Sequence, residues 1–229
     1  MPLRPKPLPP TVVVLVRHAL TPTTGKELPE RGAGPSLSEQ GRRQAEEAAR
    51  RISSWRATLP PLTAIYSSPM ARALETAAAI GAVNDLVPVE MTGLVDCDTG
   101  DWAGQALKDL ARKPEWTTVM HYPSGFCFPG GESIAEMHSR VVGTVRGVIA
   151  AHPGRCAVVV SHAEPIKAVL ADALGVHLDL FQRFVVAPAS VSAINYAHAG
   201  PSVMLVNWTG PSGQVADKRR PSTSSGSRH

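Results

Sequence analysis

Two short apolar runs constrain this chain more than anything else in it. Residues 12–16 read VVVLV and lead straight into Arg17 and His18; residues 157–160 read AVVV and lead into Ser161 and His162. Runs rich in β-branched residues and without alternation are strands buried on both faces, as in a mostly parallel sheet with helices on either side. Each run delivers a histidine at its carboxyl end. Open α/β sheets bind ligands at that edge, so if the two strands are neighbours, two imidazoles and Arg17 converge on one point. A plainer reading competes: the first strand simply surfaces, and Arg17 and His18 are solvated, as most Arg and His are.

The rest of the chain alternates strands with helices, which implies an α/β three-layer sandwich: a mostly parallel central sheet with helices on both faces. A Pro/Gly-rich loop follows the first strand. Next comes an amphipathic helix N-capped by Ser38, then the strand "AIYSS" running into a helix with Ser68 as N-cap, Pro69 at its first position and Gly81 past its end. "LVPVEM" is a further short strand. Residues 93–131 lack clear periodicity, and a stretch of that length reads as a lid or binding loop. Ser133 and Glu136 form a capping box for a helix whose buried stripe is Ile134, Met137, Val141, Val145 and Val148. The second apolar strand follows, then a helix stopped by Gly175, and two alternating strands, "SVSAINY" and "SVMLVNW", close the domain.

Composition excludes several functions. The chain has 229 residues, 43% of them hydrophobic and only 5% aromatic, so aliphatic side chains must fill one large core. No apolar run approaches the ~20 residues of a spanning helix, so no membrane partner is expected. The formal charge of +4 suggests nucleic acid. Residues 211–229 carry +3 of it, through Lys218, Arg219, Arg220 and Arg228 against Asp217. That leaves the folded part nearly neutral and gives no reason to expect a nucleic-acid partner. Residues 1–10 read as a Pro-rich extension and 211–229 as a disordered basic tail. Cys97, Cys127 and Cys156 form no CxxC pair, which fits reduced thiols in a cytoplasmic protein.

Arg17, Arg72, His18 and His162 all fall at strand ends or one turn beyond. Fixed cations at a strand edge suit a compact dianion such as a phosphoryl group. In that order along the chain, LVRHALT, YSSPMARALETA, DCDTGDWAG, FPGGES and VVVSHAEPI resemble the histidine phosphatase superfamily in its phosphoglycerate-mutase-like branch. The resemblance spans about residues 12–208 and implies a domain over 11–210 with a lid at 93–131. It implies that His18 is the nucleophile, that Arg17, Arg72 and a protonated His162 hold the phosphoryl oxygens, and that Asp96 is the proton donor. Thr21, Thr24, Ala163 and Lys167 are candidate substrate-binding residues. No metal or cofactor is expected; the partner is a small phosphorylated substrate, with a homodimer conceivable.

The chain departs from the family pattern at four places. Ala19 replaces the glycine after the motif histidine, Leu20 a frequent acidic residue, Thr24 an asparagine, and Asp96 the commoner glutamate. These leave the substrate open. A phosphatase is the leading reading; a phosphoglycerate mutase on the same site and a non-catalytic phospho-ligand module are the rivals. His18, His162 and Asp96 could alternatively form a metal triad, although the two arginines would repel a divalent cation. Asp98 or Asp101 could replace Asp96 as the acid. Ser67 and Ser68 lack the surroundings of a nucleophile. His121, His138, His152, His177 and His198 read as surface or packing residues, and Trp102 and Trp116 as lid packing.

Overall fold

The computed structural model describes residues 9–29 and 32–210. The proposed tail and most of the N-terminal extension lie outside that span. Within it the elements run β1 (Thr11–Arg17), α1 (Glu39–Ser54), β2 (Leu62–Ser67), α2 (Ala71–Asn84), β3 (Val89–Glu90), α3 (Leu107–Leu110), α4 (Pro114–His121), α5 (Ile134–Ala151), β4 (Cys156–Ser161), α6 (Ala163–Leu174), β5 (Val191–Ala197) and β6 (Gly200–Trp208). The strands form one sheet in the order β3-β2-β4-β1-β5-β6. The first four are mutually parallel, β5 is antiparallel to β1, and β6 is antiparallel to β5.

The two apolar runs are the paired central strands β1 and β4, in register from Val12 opposite Cys156 to Arg17 opposite Ser161. Strand side chains alternate faces, and the core divides accordingly. Val12, Val14 and Val16 meet Ile52 of α1, Trp55 just after it, and Ala73, Ala77 and Ile80 of α2. Val13 and Leu15 meet Met137 and Val141 of α5 and Ile166 and Leu170 of α6. Both faces are thus covered, each buried aliphatic contributing about 1.5–3 kcal/mol. Cys156 is buried at the start of β4, and all three cysteines are free thiols.

Capping partly differs from expectation. Ser38 caps α1 by accepting from the Gly41 N–H, and Ser133 and Glu136 form the full capping box of α5. For α2 the helix begins at Ala71 and its N-cap is Met70, which makes no side-chain cap bond. The Ser68 hydroxyl is instead engaged by the imidazole of His162 at 2.8 Å. Gly81 is an interior residue of α2, and the helix ends at Asp85 in the left-handed conformation, φ 56°. Gly81 is needed for close approach: a Cβ there would lie 2.3 Å from the Leu86 carbonyl.

Residues 93–131 are not without structure. They hold α3, α4 and three single turns of 3₁₀ helix, and they bury Leu94, Trp102, Leu110, Val119, Phe126 and Phe128. Each short element contributes one or two apolar anchors, too few to set up a visible period. Trp102 stacks on Trp116 with ring centroids 6.3 Å apart and meets Phe128 edge-on. The loop after β1 is fastened to this segment by backbone bonds, Leu28 N–H to Gln105 O and Leu107 N–H to Lys26 O.

Candidate active site

The β1–β4 ladder continues one residue past its end, with the His18 N–H donating to the Ser161 carbonyl at 2.9 Å. This places the His18 and His162 rings 5.2 Å apart, both buried. The plainer reading of a solvated pair therefore fails.

Hydrogen bonds assign the tautomers. Carbonyls only accept, so His18 Nδ1, 2.8 Å from the Ala19 oxygen, carries the proton and Nε2 keeps its lone pair. A guanidinium only donates, so His162 Nδ1, 3.1 Å from Arg72 Nη2, is the acceptor, and its Nε2–H points to Ser68 Oγ. Burial pushes the pKa of His18 well below the usual histidine value, helped by His162 and Arg72. Burial does the same to His162, helped by Arg72 and Arg17. Both rings are neutral at pH 7. Without an anion in the site, the arginines already fill it with positive charge, which favours the neutral rings.

Those arginines are themselves buried or nearly so. Burial lowers the pKa of Arg72, opposed by Asp96, and that of Arg17, opposed by Asp96 and Glu164; guanidinium stays charged at neutral pH all the same. Arg17 Nη1 donates to the Val186 carbonyl, and Arg72 Nη2 reaches Asp96 Oδ2 at 3.3 Å. Arg17 Nε, Arg72 Nε and Arg72 Nη1 are buried donors with no acceptor among the described residues. A buried donor left unpaired costs about 1–3 kcal/mol, so this cluster favours an anion rich in oxygen.

Asp96, the acid expected from the resemblance, lies beside the basic cluster. Its carboxyl is 3.3 Å from Arg72 and 3.6 Å from His162 Nδ1, and its side chain is only 18% exposed. Asp98 Oδ1 is turned to the Gly100 N–H of its own loop. Among the described residues no group of three His, Cys, Asp or Glu side chains is spaced to hold a metal ion.

The remaining candidates divide. Thr21 and Thr24 bond each other, hydroxyl to hydroxyl at 2.8 Å, and line a small pocket with His18 and Arg72. Ala163 opens α6 and lines a second, largely apolar pocket that has Asp96 in its wall. Lys167 is outside that lining, its ammonium held by Glu164 at 3.1 Å and Gln182 at 2.9 Å.

Two contributors were missed from the sequence. Ser68 accepts the His162 proton; its place at the end of β2, a neighbour of β4, was the available signal. Arg140 of α5 holds the Asp96 loop through the carbonyls of Gly93, Val95 and Asp96 while pairing with Glu132 at 2.6 Å. No local pattern marks it. The departure at Ala19 is benign, because its φ is not positive and its N–H donates to Thr76 Oγ1 at 3.1 Å.

Fold and cluster together define an α/β protein that concentrates arginine and histidine at the carboxyl edge of its central parallel strands. The chain belongs to the histidine phosphatase superfamily (branch 1), whose family model matches residues 13–209. It is 32% identical over 199 residues to phosphoserine phosphatase 1 of Hydrogenobacter thermophilus, covering 86% of this chain and 92% of that one. A mycobacterial glucosyl-3-phosphoglycerate phosphatase solved with VO3 superposes with a TM-score of 0.73 at 25% identity, covering 86% of this chain and 98% of that one. Phosphoserine phosphatase of Entamoeba histolytica, solved with 3-phosphoglyceric acid, gives 0.74 at 23% identity, covering 86% and 97%, and so shares the fold.

Proposed function

We propose that the protein is a phosphatase that hydrolyses a small phosphomonoester through a phosphohistidine at His18. The observation that carries this reading is the His18 tautomer, a buried neutral imidazole whose Nδ1–H is anchored on the Ala19 carbonyl. That anchoring leaves the Nε2 lone pair available for attack. Arg17 and Arg72 hold the non-bridging phosphoryl oxygens through their unpartnered N–H groups, and His162 keeps Arg72 aimed. Nε2 attacks phosphorus while the bond to the leaving oxygen breaks, and that oxygen takes its proton from Asp96. In the second half Asp96 removes a proton from water, whose oxygen attacks phosphorus as the P–N bond breaks and its electron pair returns to Nε2. Splitting the transfer in two lowers each barrier, and two guanidinium groups supply the charge stabilisation that phosphoryl transfer needs without a metal. Thr21 and Thr24 shape the phosphoryl side and Ala163 the alcohol side, Lys167 orients Glu164 and Gln182 behind it, and residues 93–131 act as the lid of a domain spanning 11–210. A cytoplasmic setting suits the free thiols.

The test is rapid quenching into alkali with phosphate-labelled substrate. Label on the peptide carrying His18, and none on a folded His18→Ala variant with turnover abolished, is the expected result. Wild-type turnover in His18→Ala would end the reading.

A further inference from the structure

The pocket beyond Asp96 tells what the alcohol half of the substrate is. Leu107, Trp116, Met120 and Phe128 come to it from residues 93–131, and Phe181 from the 3₁₀ turn after α6. Its polar lining among the described residues consists of Asp96, Thr99, Glu164 and Gln182, with no lysine, arginine or histidine. Lys167, behind this lining, is already neutralised: Glu164 Oε1 and Gln182 Oε1 hold its ammonium, and Gln182 Nε2 donates to Glu164 Oε2 at 3.1 Å. A substrate carboxylate entering here would find no positive partner among the described lining residues and would face the Glu164 carboxylate. Burying an unpaired charge is strongly unfavourable. An apolar group gains instead, about fourfold in affinity for each methylene removed from water.

We infer that the substrates are phosphomonoesters of apolar, uncharged alcohols, alkyl or aryl, and not phosphorylated amino or sugar acids. This rests on the phosphatase reading for its chemistry, and on the pocket lining alone for its selectivity. It also sets the protein apart from relatives whose names specify phosphoserine or glucosyl-3-phosphoglycerate.

Two measurements on the full chain separate the claims. In turnover, pentyl phosphate should exceed O-phosphoserine and 3-phosphoglycerate in kcat/KM by about tenfold or more. In calorimetry, affinity should climb from methyl- through propyl- to pentylphosphonate by about tenfold or more overall. Met120→Lys, at a partly exposed pocket residue, should flatten that climb. A flat phosphonate series in the wild type, an unchanged climb in Met120→Lys, or a preference for O-phosphoserine overturns the inference. Hydrolysis without apolar preference removes the inference and leaves the phosphatase. A rising phosphonate series with no ester hydrolysed does the reverse.

Discussion

His18 and His162 face each other across 5.2 Å in a site that already holds two guanidinium groups. Protonating either ring would add a third positive charge to a buried cluster. Stability must therefore depend on pH in one direction. Both folded pKa values lie below the unfolded value of about 6.5, so the unfolded chain binds more protons at acid pH. The stabilisation is complete above pH 6.5 and drains away as pH falls below it toward the folded values. Melting temperature should drop between about pH 7 and pH 5, less steeply in His162→Gln. Equal slopes in the two proteins would show that another group sets the acid limit. The four basic residues of this cluster were legible because each sits at a strand end or one turn past it. The tautomers were not, since they depend on a neighbour's carbonyl and guanidinium that only the fold supplies.

At the scale of elements, the proposed nucleophile is braced from outside the sheet. The Ser38 N–H and hydroxyl both donate to the Leu20 carbonyl, two residues past His18. Helix α1 comes so close there that a Cβ on Gly41 would lie 2.0 Å from that same oxygen. Propensity alone favours alanine over glycine inside a helix by about 1 kcal/mol. A backbone overlap of this size cannot be relieved by a side-chain rotation, so it should win. Gly41→Ala is expected to lower both melting temperature and kcat/KM, by pushing Leu20 and with it His18 out of place. A stabilised, fully active variant would mean that α1 does not position the nucleophile. Helices α1, α5 and α6 were readable from their caps and stripes. The start of α2 was not, because Ser68 answers to His162 in space before it answers to its own helix. The short helices of residues 93–131 escaped for a different reason, each offering one anchor to a shared core.

Over the whole molecule, the paired apolar strands were enough to place the sheet and the edge that gathers the basic cluster, while charge placement would decide the fate of a phosphoryl group bound there. A mutase must return phosphate to a second hydroxyl of an acidic sugar derivative, and so must hold that acid through two transfers with water excluded. Such retention needs cations around the alcohol half. Beyond Arg72 and before α5, the chain offers only Lys108, Arg112 and Lys113 against nine acidic residues. Arg112 is paired with Asp109 at 3.2 Å, and the Lys113 ammonium lies 5.1 Å over the Trp102 ring. None of the three lines the pocket beside Asp96. An acid freed by the first transfer should therefore leave before it can be rephosphorylated, and water should take its place at the phosphohistidine. With 3-phosphoglycerate and a catalytic amount of 2,3-bisphosphoglycerate, free phosphate should appear faster than 2-phosphoglycerate. Slow overall turnover is expected as well, since this substrate carries the carboxylate that the pocket disfavours. Isomerisation outrunning phosphate release would show that the acid is held by groups other than those facing Asp96, and the chain would then work as a mutase.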